Sequence, residues 1–376
     1  MKTQPPSSTE RQLDPLLCVH CPDLCLYSCP TIVGGGTTTT SPYGKVTALH
    51  WAENTTILNM KEVSHLPFLC SECDLCTTVC AHDQPVSQFL YKVRERLHQL
   101  HETPEEAKCM LPDEENLRQV LVQAKKSLNL KEQPKVIFAP GCSMLSQGPD
   151  RVVSTVKLLM RLGISSVGVD PDAPLCCGAP WRDLGDTGGF LGRVSHWRRL
   201  HSMREGVVVG DPRCLRTIIE HTPSPLNEQY QPQIFGLHRF LSRAIRGALR
   251  KRLELRIAIH ETCHIARHLD KNPDALQILK SILKEQPKNL GFHSQESQCC
   301  GHSGGLSTMA PELALGAAQR LLEHASLLNI DCLLTFSPGC AGHLDAARKQ
   351  DPSLPRVVEM VDLVEMALDL NQGENK

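Results

Sequence analysis

The spacing of apolar positions changes along the chain and divides it into regions. From Ser87 to Leu100, apolar residues recur every three or four positions, which predicts an amphipathic helix. From Lys135 onward, short apolar runs typical of strands alternate with longer segments of helical spacing. Such alternation predicts parallel α/β sheets, because each helix connects two strands that run in the same direction.

This alternation occurs twice, and a repeat implies two similar units packed together. The first half has predicted strands at 135–139, 166–169 and 206–210 and predicted helices at 151–162 and 190–203. The second half has predicted strands at 255–259, 290–293 and 332–336 and predicted helices at 273–283 and 312–328. A further helix with one basic side is predicted at 240–255. Its apolar side is expected to face the core, and docking on an acidic partner or anionic lipid is the alternative.

Sixteen of the eighteen cysteines fall into two kinds of pattern. The N-terminal region carries Cys18-x2-Cys21-x3-Cys25-x3-Cys29 and Cys70-x2-Cys73-x2-Cys76-x3-Cys80. Each half of the repeat carries a cysteine after its first strand, a vicinal pair followed by glycine, and a cysteine after its third strand. These residues are Cys142, Cys176, Cys177 and Cys214 in the first half and Cys263, Cys299, Cys300 and Cys340 in the second.

The spacing of the N-terminal runs suits two [4Fe-4S] clusters. Three thiolates two or three residues apart on a turning loop can reach three irons of a cubane, and a fourth cysteine closes the site from elsewhere. Two such runs usually exchange their fourth cysteines. The predicted ligands are Cys18, Cys21, Cys25 and Cys80 for one cluster, and Cys29, Cys70, Cys73 and Cys76 for the other. Zinc suits these runs less well, because zinc sites typically use two separated cysteine pairs.

Composition narrows the classes of protein that this chain could be. With 376 residues, 41% of them hydrophobic, and a net charge of −1, the chain can form two or three domains and shows no charge bias towards nucleic acid. The first residues are polar and no apolar run is long enough to span a membrane, so we expect a soluble cytoplasmic protein. In that compartment cysteines bind metal more often than they form disulfides.

Several residues beside the cysteines are weaker candidates. Asp211 could supply an oxygen ligand, although an Asp before proline is more often a turn former, and Ser337 is also expected in a turn. The loop from His302 to Gly305 either allows close approach to a cofactor or simply leads into a helix. Histidines near the cysteines are expected to be core or hydrogen-bonding residues more often than ligands, and the two remaining cysteines are expected to be small buried hydrophobes. These residues are His264, His302 and His343, and Cys109 and Cys332.

The doubled Cys…Cys-Cys-Gly…Cys pattern behind two cluster-binding runs resembles the CCG-domain iron–sulfur proteins. This family includes the glycolate oxidase iron–sulfur subunit, a subunit of anaerobic glycerol-3-phosphate dehydrogenase and heterodisulfide reductase subunits. The resemblance extends from Cys18 to Cys340. It implies an α-helical two-cluster ferredoxin module at 1–130, followed by a duplicated α/β CCG domain with parallel-sheet halves at 131–232 and 233–376.

The resemblance also implies a function in electron transfer. In that family the ferredoxin clusters carry electrons, and the CCG halves carry further cofactors and face a flavin partner or a quinone. The chain would then take electrons from a flavoprotein dehydrogenase or oxidase subunit that acts on a small hydroxy acid or polyol phosphate. It would pass them to a quinone or another carrier, with peripheral association at the inner face of the membrane through a partner.

One departure from the family bears on the alternatives. Members that reduce disulfides end each half with Cys-x-x-Cys, whereas Asp211 and Ser337 occupy the first of those positions here. Each half therefore offers four cysteines, which can hold one or two further iron–sulfur clusters or zinc. A heterodisulfide or thiol-disulfide reductase-type subunit and a structural zinc-binding protein remain the alternative functions.

Overall fold

The N-terminal part of the chain is a helical domain. The computed structural model describes residues 12–129, 134–164, 166–201, 205–221, 233–245, 249, 251–269 and 273–372. The α-helices of this domain are α1 (Pro15–Val19), α2 (Pro30–Val33), α3 (Pro42–Asn54), α4 (Met60–Val63), α5 (Leu75–Val79), α6 (Val86–Gln99) and α7 (Glu114–Leu128). Short 3-10 helices lie at Leu24–Ser28, Thr38–Thr40, Leu66–Phe68 and Glu105–Met110.

Local sequence and apolar spacing explain the two longest helices before α7. Helix α3 begins at Pro42 because proline suits the first helical turn and the Ser41 side chain accepts a hydrogen bond from the backbone of Gly44. Helix α6 buries a stripe of apolar residues with helical spacing against the rest of the domain. The predicted helix at 87–100 is therefore confirmed, with a shift of one residue at each end.

The first half contains a four-stranded parallel sheet with the order β2-β1-β3-β4. Its strands are β1 (Val136–Ala139), β2 (Val167–Gly168), β3 (Gly206–Val209) and β4 (Gln233–Gly236). Its helices are α8 (Cys142–Leu145), α9 (Pro149–Arg161), α10 (Ala179–Leu184), α11 (Thr187–His201), α12 (Pro212–His221) and α13 (Leu237–Ala244). Strand β4 pairs with β3, so it belongs to the first sheet although the predicted boundary assigns residues from 233 onward to the second half.

The second half repeats this topology with the strand order β6-β5-β7-β8, again parallel. Its strands are β5 (Ile257–His260), β6 (Lys288–Asn289), β7 (Cys332–Thr335) and β8 (Arg356–Glu359). Its α-helices are α14 (Pro273–Ile282), α15 (Leu306–Met309), α16 (Pro311–Ser326), α17 (Pro338–Gln350) and α18 (Met360–Gln372). A π-helical turn at His264–His268 and a 3-10 turn at Ser294–Glu296 complete the half.

The two halves share one large apolar core. Residues of both sheets, including Phe138 and Ile259, pack into the same cluster with apolar residues of α9 and α18. At the edge of this contact Arg151 of α9 forms ion pairs with Glu359 and Asp362 of the second half. The predicted fold class, a helical region followed by two parallel-sheet α/β halves, is confirmed.

Two predicted elements are wrong in detail. The strand predicted at 290–293 lies instead at Lys288–Asn289, because the backbone bends at Gly291 and Phe292. The helix predicted at 240–255 is α13, which begins earlier and ends at Ala244. Further along, Leu253 forms a parallel bridge with Leu283 that a helix could not make. Among the described residues no helix is both long and apolar enough to cross a membrane.

Candidate metal centres

The two cysteine runs of the helical domain fold in the same way. Asp23 follows the second cysteine of its run and adopts a left-handed backbone conformation, and a 3-10 helix begins directly after it. Asp74 does the same before α5. Both short helices end at the last cysteine of the run, Cys29 or Cys80, which returns to extended backbone. The spacing therefore produces two equivalent loops, with the last cysteine of each displaced from the other three.

This arrangement brings together the cysteines predicted to share each cluster. One small cavity is lined by the four predicted cysteines Cys18, Cys21, Cys25 and Cys80, and also by Cys76. A second cavity is lined by Cys29, Cys70, Cys73 and Cys76. Each cavity thus contains three cysteines from one run and the last cysteine of the other run, and Cys76 lines both cavities. The donor sets fit [4Fe-4S] clusters, since thiolates are the usual ligands of such clusters.

Burial raises the pKa of four of these thiols, Cys18, Cys25, Cys70 and Cys76, which stay protonated until a metal displaces the proton. Burial, with the neighbouring thiols of Cys80 and Cys21, raises the pKa of Cys18 to about 11. Burial raises the pKa of Cys70 to about 12, although the cations of Lys45 and Arg94 oppose this effect. Metal binding at these residues must therefore release protons.

The same two cations are candidate site residues that the cysteine motifs do not include. Lys45 is 1% exposed and lines the second cavity, and Arg94 is fully buried and donates to the Cys70 carbonyl oxygen at 3.2 Å. A detectable signal was present in the sequence, because both residues interrupt an apolar helical stripe. Arg94 lies four positions after Leu90 on the buried side of α6. Both place positive charge beside a site that would hold several thiolates.

Arg94 also belongs to a buried ion network between the helical domain and the first half. The carboxylate of Glu72 accepts from Arg94 at 2.9 Å and from Arg182 at 3.0 Å. Asp183 forms a further ion pair with Arg213. Burial alone would raise the pKa of Glu72, but Arg182, Arg94 and Arg213 together lower it to about 2. The network fixes the loop that carries Cys70 and Cys73 against the first half.

In the first half the four predicted cysteines form a continuous line of sulfur contacts. The Sγ atoms of Cys142 and Cys176 are 3.9 Å apart, and Cys177 contacts both Cys176 and Cys214. Gly141 allows this approach, since its φ is +77° and a β-carbon there would lie 2.9 Å from the Cys214 sulfur. The parallel strands end on the same side of the sheet, which explains why these distant residues meet.

The second half repeats this line and extends it to the helical domain. Cys263 contacts Cys299, and Cys300 lies 3.3 Å from Cys340 between their Sγ atoms. In addition, the Cys73 thiol hydrogen-bonds Cys299, and this contact lowers the pKa of Cys73 to about 7 despite its burial. Cys73, Cys263 and Cys299 share one buried cluster with Leu75. A cysteine predicted for the helical domain thus contacts Cys299 of the second half and shares a buried cluster with Cys263.

The positions of the absent fifth cysteines are occupied by residues that bond to each other. The Ser337 hydroxyl donates to Asp211 Oδ2 at 3.1 Å, across the contact between the two halves. Asp211 Oδ1 also accepts from the backbone N–H of Arg213, as a turn former does, and Ser337 caps the start of α17. The expectation that both are turn residues agrees with these contacts. Their polar atoms are used in bonds within the protein.

Other candidates lie in positions that the sequence did not indicate. The loop from His302 to Gly305 approaches the helical domain, where a β-carbon on Gly304 would lie 2.3 Å from the Cys70 carbonyl oxygen. His343 Nε2 contacts the carbonyl oxygen of Ala314 at 3.0 Å, whereas His264 is buried beside Cys263. Cys332 is buried in β7 as expected, but Cys109 is exposed, so the prediction that it is buried is wrong.

The residue that the sequence analysis missed in the second half is His260. Its ring nitrogen and the sulfurs of Cys300 and Cys340 all lie within 4.8 Å of one another, and all three residues are buried. The signal was a histidine at the end of an apolar strand, three positions before Cys263. Because the first half has Ala139 at the matching strand end, comparison of the two halves would have singled it out.

A larger cavity of about 610 Å³ opens between the two halves. Its walls include Cys142, Cys109, Arg213, His302 and His343. The cavity therefore gives a small molecule access to one of the predicted ligands of the first half.

Two family models match the chain at these sites. Residues 16–83 match the 4Fe-4S dicluster domain, and residues 257–345 match the cysteine-rich domain named CCG. The chain carries both domains. The dicluster domain spans both cysteine runs of the helical domain, and the CCG match spans β5 to α17 of the second half. The first half has the same strand order as this CCG half and the same line of four cysteines.

Several curated relatives are named as subunits of reductases or of an oxidase. The chain is 26% identical over 237 residues to a fumarate reductase (CoM/CoB) subunit of Methanothermobacter marburgensis. The aligned region covers 62% of this chain and 46% of that relative. It thus spans less than half of that relative's length. The glycolate oxidase iron-sulfur subunit of Escherichia coli is 22% identical, and a dihydromethanophenazine:CoB–CoM heterodisulfide reductase subunit of Methanosarcina barkeri is 21% identical, each with 94% of both chains covered.

One solved structure has a similar fold. It is the crystal structure of a hypothetical protein from Helicobacter pylori, with a TM-score of 0.51 and 13% sequence identity. The match covers 91% of this chain and 72% of the other. It supports the arrangement of the helical dicluster domain and the two CCG halves.

Proposed function

We propose that this chain is an iron–sulfur electron-transfer subunit of an oxidoreductase. It would receive electrons from a flavoprotein subunit that oxidises a small hydroxy acid or polyol phosphate, and pass them to a quinone or another carrier. The E. coli glycolate oxidase iron-sulfur subunit and the heterodisulfide reductase subunit of M. barkeri, which match over almost the whole chain, support this class of function.

The contact between Cys73 and Cys299 is the observation that carries the proposal. Iron–sulfur clusters, when bound, supply one-electron storage and transfer. Cys73 would hold a cluster of the dicluster domain, and Cys299 would hold the metal group of the second CCG half. Because the two thiols lie together in one buried cluster, the two predicted sites adjoin each other through protein atoms. A chain with unconnected structural metals would have no need of this junction.

The residues around the junction hold the two domains in register. Arg267 donates to the Cys73 carbonyl oxygen and, at 2.7 Å, to the Ser297 carbonyl oxygen. His268 lies 3.3 Å from the carboxylate of Asp74, next to Cys73. Gly34 packs directly on α16, where a β-carbon on Gly34 would lie 1.9 Å from the carbonyl oxygen of Leu313. These contacts make the dicluster domain and second half one packed unit.

A disulfide-reducing function is the second candidate, favoured by the likeness to the heterodisulfide reductase subunit of M. barkeri. The mutual hydrogen bond of Asp211 and Ser337 weighs against it, because these residues stand where disulfide-reducing members of the family have cysteines. The cavity beside Cys142 is compatible with either a small carrier or a small substrate.

The first test is anaerobic purification with iron, sulfide and zinc analysis, followed by low-temperature EPR of the dithionite-reduced protein. Iron at about eight atoms per chain would correspond to the dicluster domain alone. We expect about twelve to sixteen iron atoms per chain and additional EPR signals from the CCG halves. Cys300→Ser should remove the signal of the second half and leave the signals of the dicluster domain. Reoxidation of the reduced protein by a soluble quinone should be slower in Cys300→Ser than in the native chain. Zinc with little iron, or equal reoxidation rates, would refute the proposal.

A further inference from the structure

The central strands of the two CCG halves end differently. In the first half Ala139 of β1 pairs with Val209 of β3, and both side chains are apolar. In the second half His260 of β5 occupies the matching position and pairs with Thr335 of β7. His260 is 1% exposed and Thr335 is fully buried. An apolar pair has thus been replaced by a buried polar pair in one half only.

These polar groups lack partners. In the part of the chain that the structure describes, neither His260 Nε2 nor the Thr335 hydroxyl has a hydrogen-bond partner. Burying a polar atom without a partner costs free energy, and native proteins rarely leave such atoms unpaired. A ligand that the imidazole nitrogen binds would remove this cost at His260.

The surroundings of the ring indicate the kind of ligand. A ring nitrogen of His260 and the sulfurs of Cys300 and Cys340 all lie within 4.8 Å of one another. Imidazole nitrogen and thiolate sulfur together are donors that thiophilic metals such as zinc and iron prefer. The first half, with Ala139 at this place, can offer only sulfur from the matching residues.

We propose that His260 is a nitrogen ligand of the metal group in the second CCG half. The donor set of this half is then mixed, with a ring nitrogen from His260 and sulfurs from Cys263, Cys299, Cys300 and Cys340. The identification of the group as an iron–sulfur cluster rests on the proposed function, whereas the ligand role of His260 does not. Neutral imidazole in place of a thiolate raises the reduction potential of iron–sulfur centres, as in Rieske proteins. The second half would then have a higher potential than a site with cysteine ligands only.

The test is pulsed EPR of the full chain labelled with 15N-histidine and reduced with dithionite. A directly bound imidazole gives a strong 15N hyperfine coupling, which we expect in the native chain and in His324→Ala. His324 is the matched control because its half-buried ring, in the last turn of α16, packs against Phe292. His260→Ala should lose the coupling.

A second measurement covers the case in which the variant binds no metal. Metal retention against a chelator should fall in His260→Ala by more than the roughly 10- to 100-fold typical of losing an outer-shell partner. His260→Cys should restore retention without the 15N coupling. Coupling that persists in His260→Ala, unchanged metal retention in that variant, or native protein without metal in the second half would each overturn the proposal.

The outcomes also separate this proposal from the proposed function. If the second half holds zinc, X-ray absorption at the zinc edge should show a mixed nitrogen and sulfur shell that becomes sulfur only in His260→Cys. That result would support the ligand role of His260 and refute electron transfer through the second half. Iron in the second half without any 15N coupling would leave the electron-transfer function standing and refute the ligand role.

Discussion

Replacing Glu72 by Gln should destabilise the protein strongly, because Glu72 is the anion at the centre of a buried ion network. Its carboxylate lies between Arg94 and Arg182, and its side chain is only 9% exposed. Glutamine keeps the shape and some hydrogen bonds but removes the charge, so the arginines lose their compensation. This network joins the dicluster domain to the first CCG half, so the loss falls on the contact between them.

The magnitude follows from the pKa of Glu72. The ordinary value of 4.5 falls to about 2 in the folded chain, because the arginines outweigh the effect of burial. At 1.36 kcal/mol per pKa unit, this difference corresponds to about 3 kcal/mol of stability at pH 7. Measured losses of roughly 3–5 kcal/mol on breaking buried ion pairs agree with this figure. Little screening by solvent is expected at such a buried site.

Equilibrium urea unfolding under anaerobic conditions, followed by far-UV circular dichroism, measures the effect. Glu53→Gln is the matched control. Glu53 of α3 pairs at 2.8 Å with Arg96, which lies on α6 as Arg94 does, but this pair is at an exposed site. The substitution should cost roughly 1 kcal/mol or less. If Glu72→Gln costs no more than Glu53→Gln, the reasoning from burial and charge is refuted.

The pH dependence provides a further check on Glu72. Folding lowers its pKa, so its contribution is fully present above about pH 4.5 and disappears as the pH falls towards about 2. The difference in unfolding free energy between native chain and Glu72→Gln should therefore be constant from pH 7 to about 5 and shrink below that. A difference that grows on acidification would contradict the assigned direction.

Three further changes test other contacts. Gly316→Ala should weaken docking of the dicluster domain, because the added β-carbon would lie 2.4 Å from a backbone oxygen of that domain. Gly342→Ala is the control, since open space surrounds Gly342, and it should be neutral or stabilising by about 0.5–1 kcal/mol. Thermal unfolding of the two variants measures the difference. Cys109 is exposed, so brief iodoacetamide treatment of the metal-loaded protein should alkylate this cysteine before any other, as measured by mass spectrometry. Cys109→Ser should leave the iron content unchanged. Asp211→Ala should cost roughly 1–3 kcal/mol in urea unfolding, because the buried Ser337 hydroxyl loses the acceptor of its proton. A loss equal to that of an exposed Asp→Ala variant would contradict this role.

Much of the fold could be predicted from the sequence because it depends on local pattern. The apolar spacing of α6 and the strand–helix alternation identified elements that the structure confirms within a few residues. Errors occurred where tertiary contacts overrode local preference. The predicted helix at 240–255 ends at Ala244, and β6 lies two residues before its predicted start. Strand β4 was not recognised because its four residues carry no marked pattern, and pairing with β3 makes it a strand.

The grouping of cysteines was also largely a matter of local pattern. Loops of two or three residues can turn in few ways, so the spacing around Asp23 and Asp74 places neighbouring sulfurs together. Exchange of Cys29 and Cys80 between the two cavities was predicted from the pattern of paired runs, and the cavity linings agree with it. Their role as ligands stays a prediction until metal is measured.

The amino-acid sequence specifies two kinds of cysteine pattern, two repeated α/β halves and the residue types available to bind metal. Which distant residues meet depends on the packing of the whole chain: Cys73 with Cys299, Asp211 with Ser337, and His260 with Cys300 and Cys340. The physical reason is that short spacings limit the reach of the backbone within one loop. Contacts between loops depend instead on how whole sheets and helices pack, through shared apolar cores and buried ion pairs that no local pattern records.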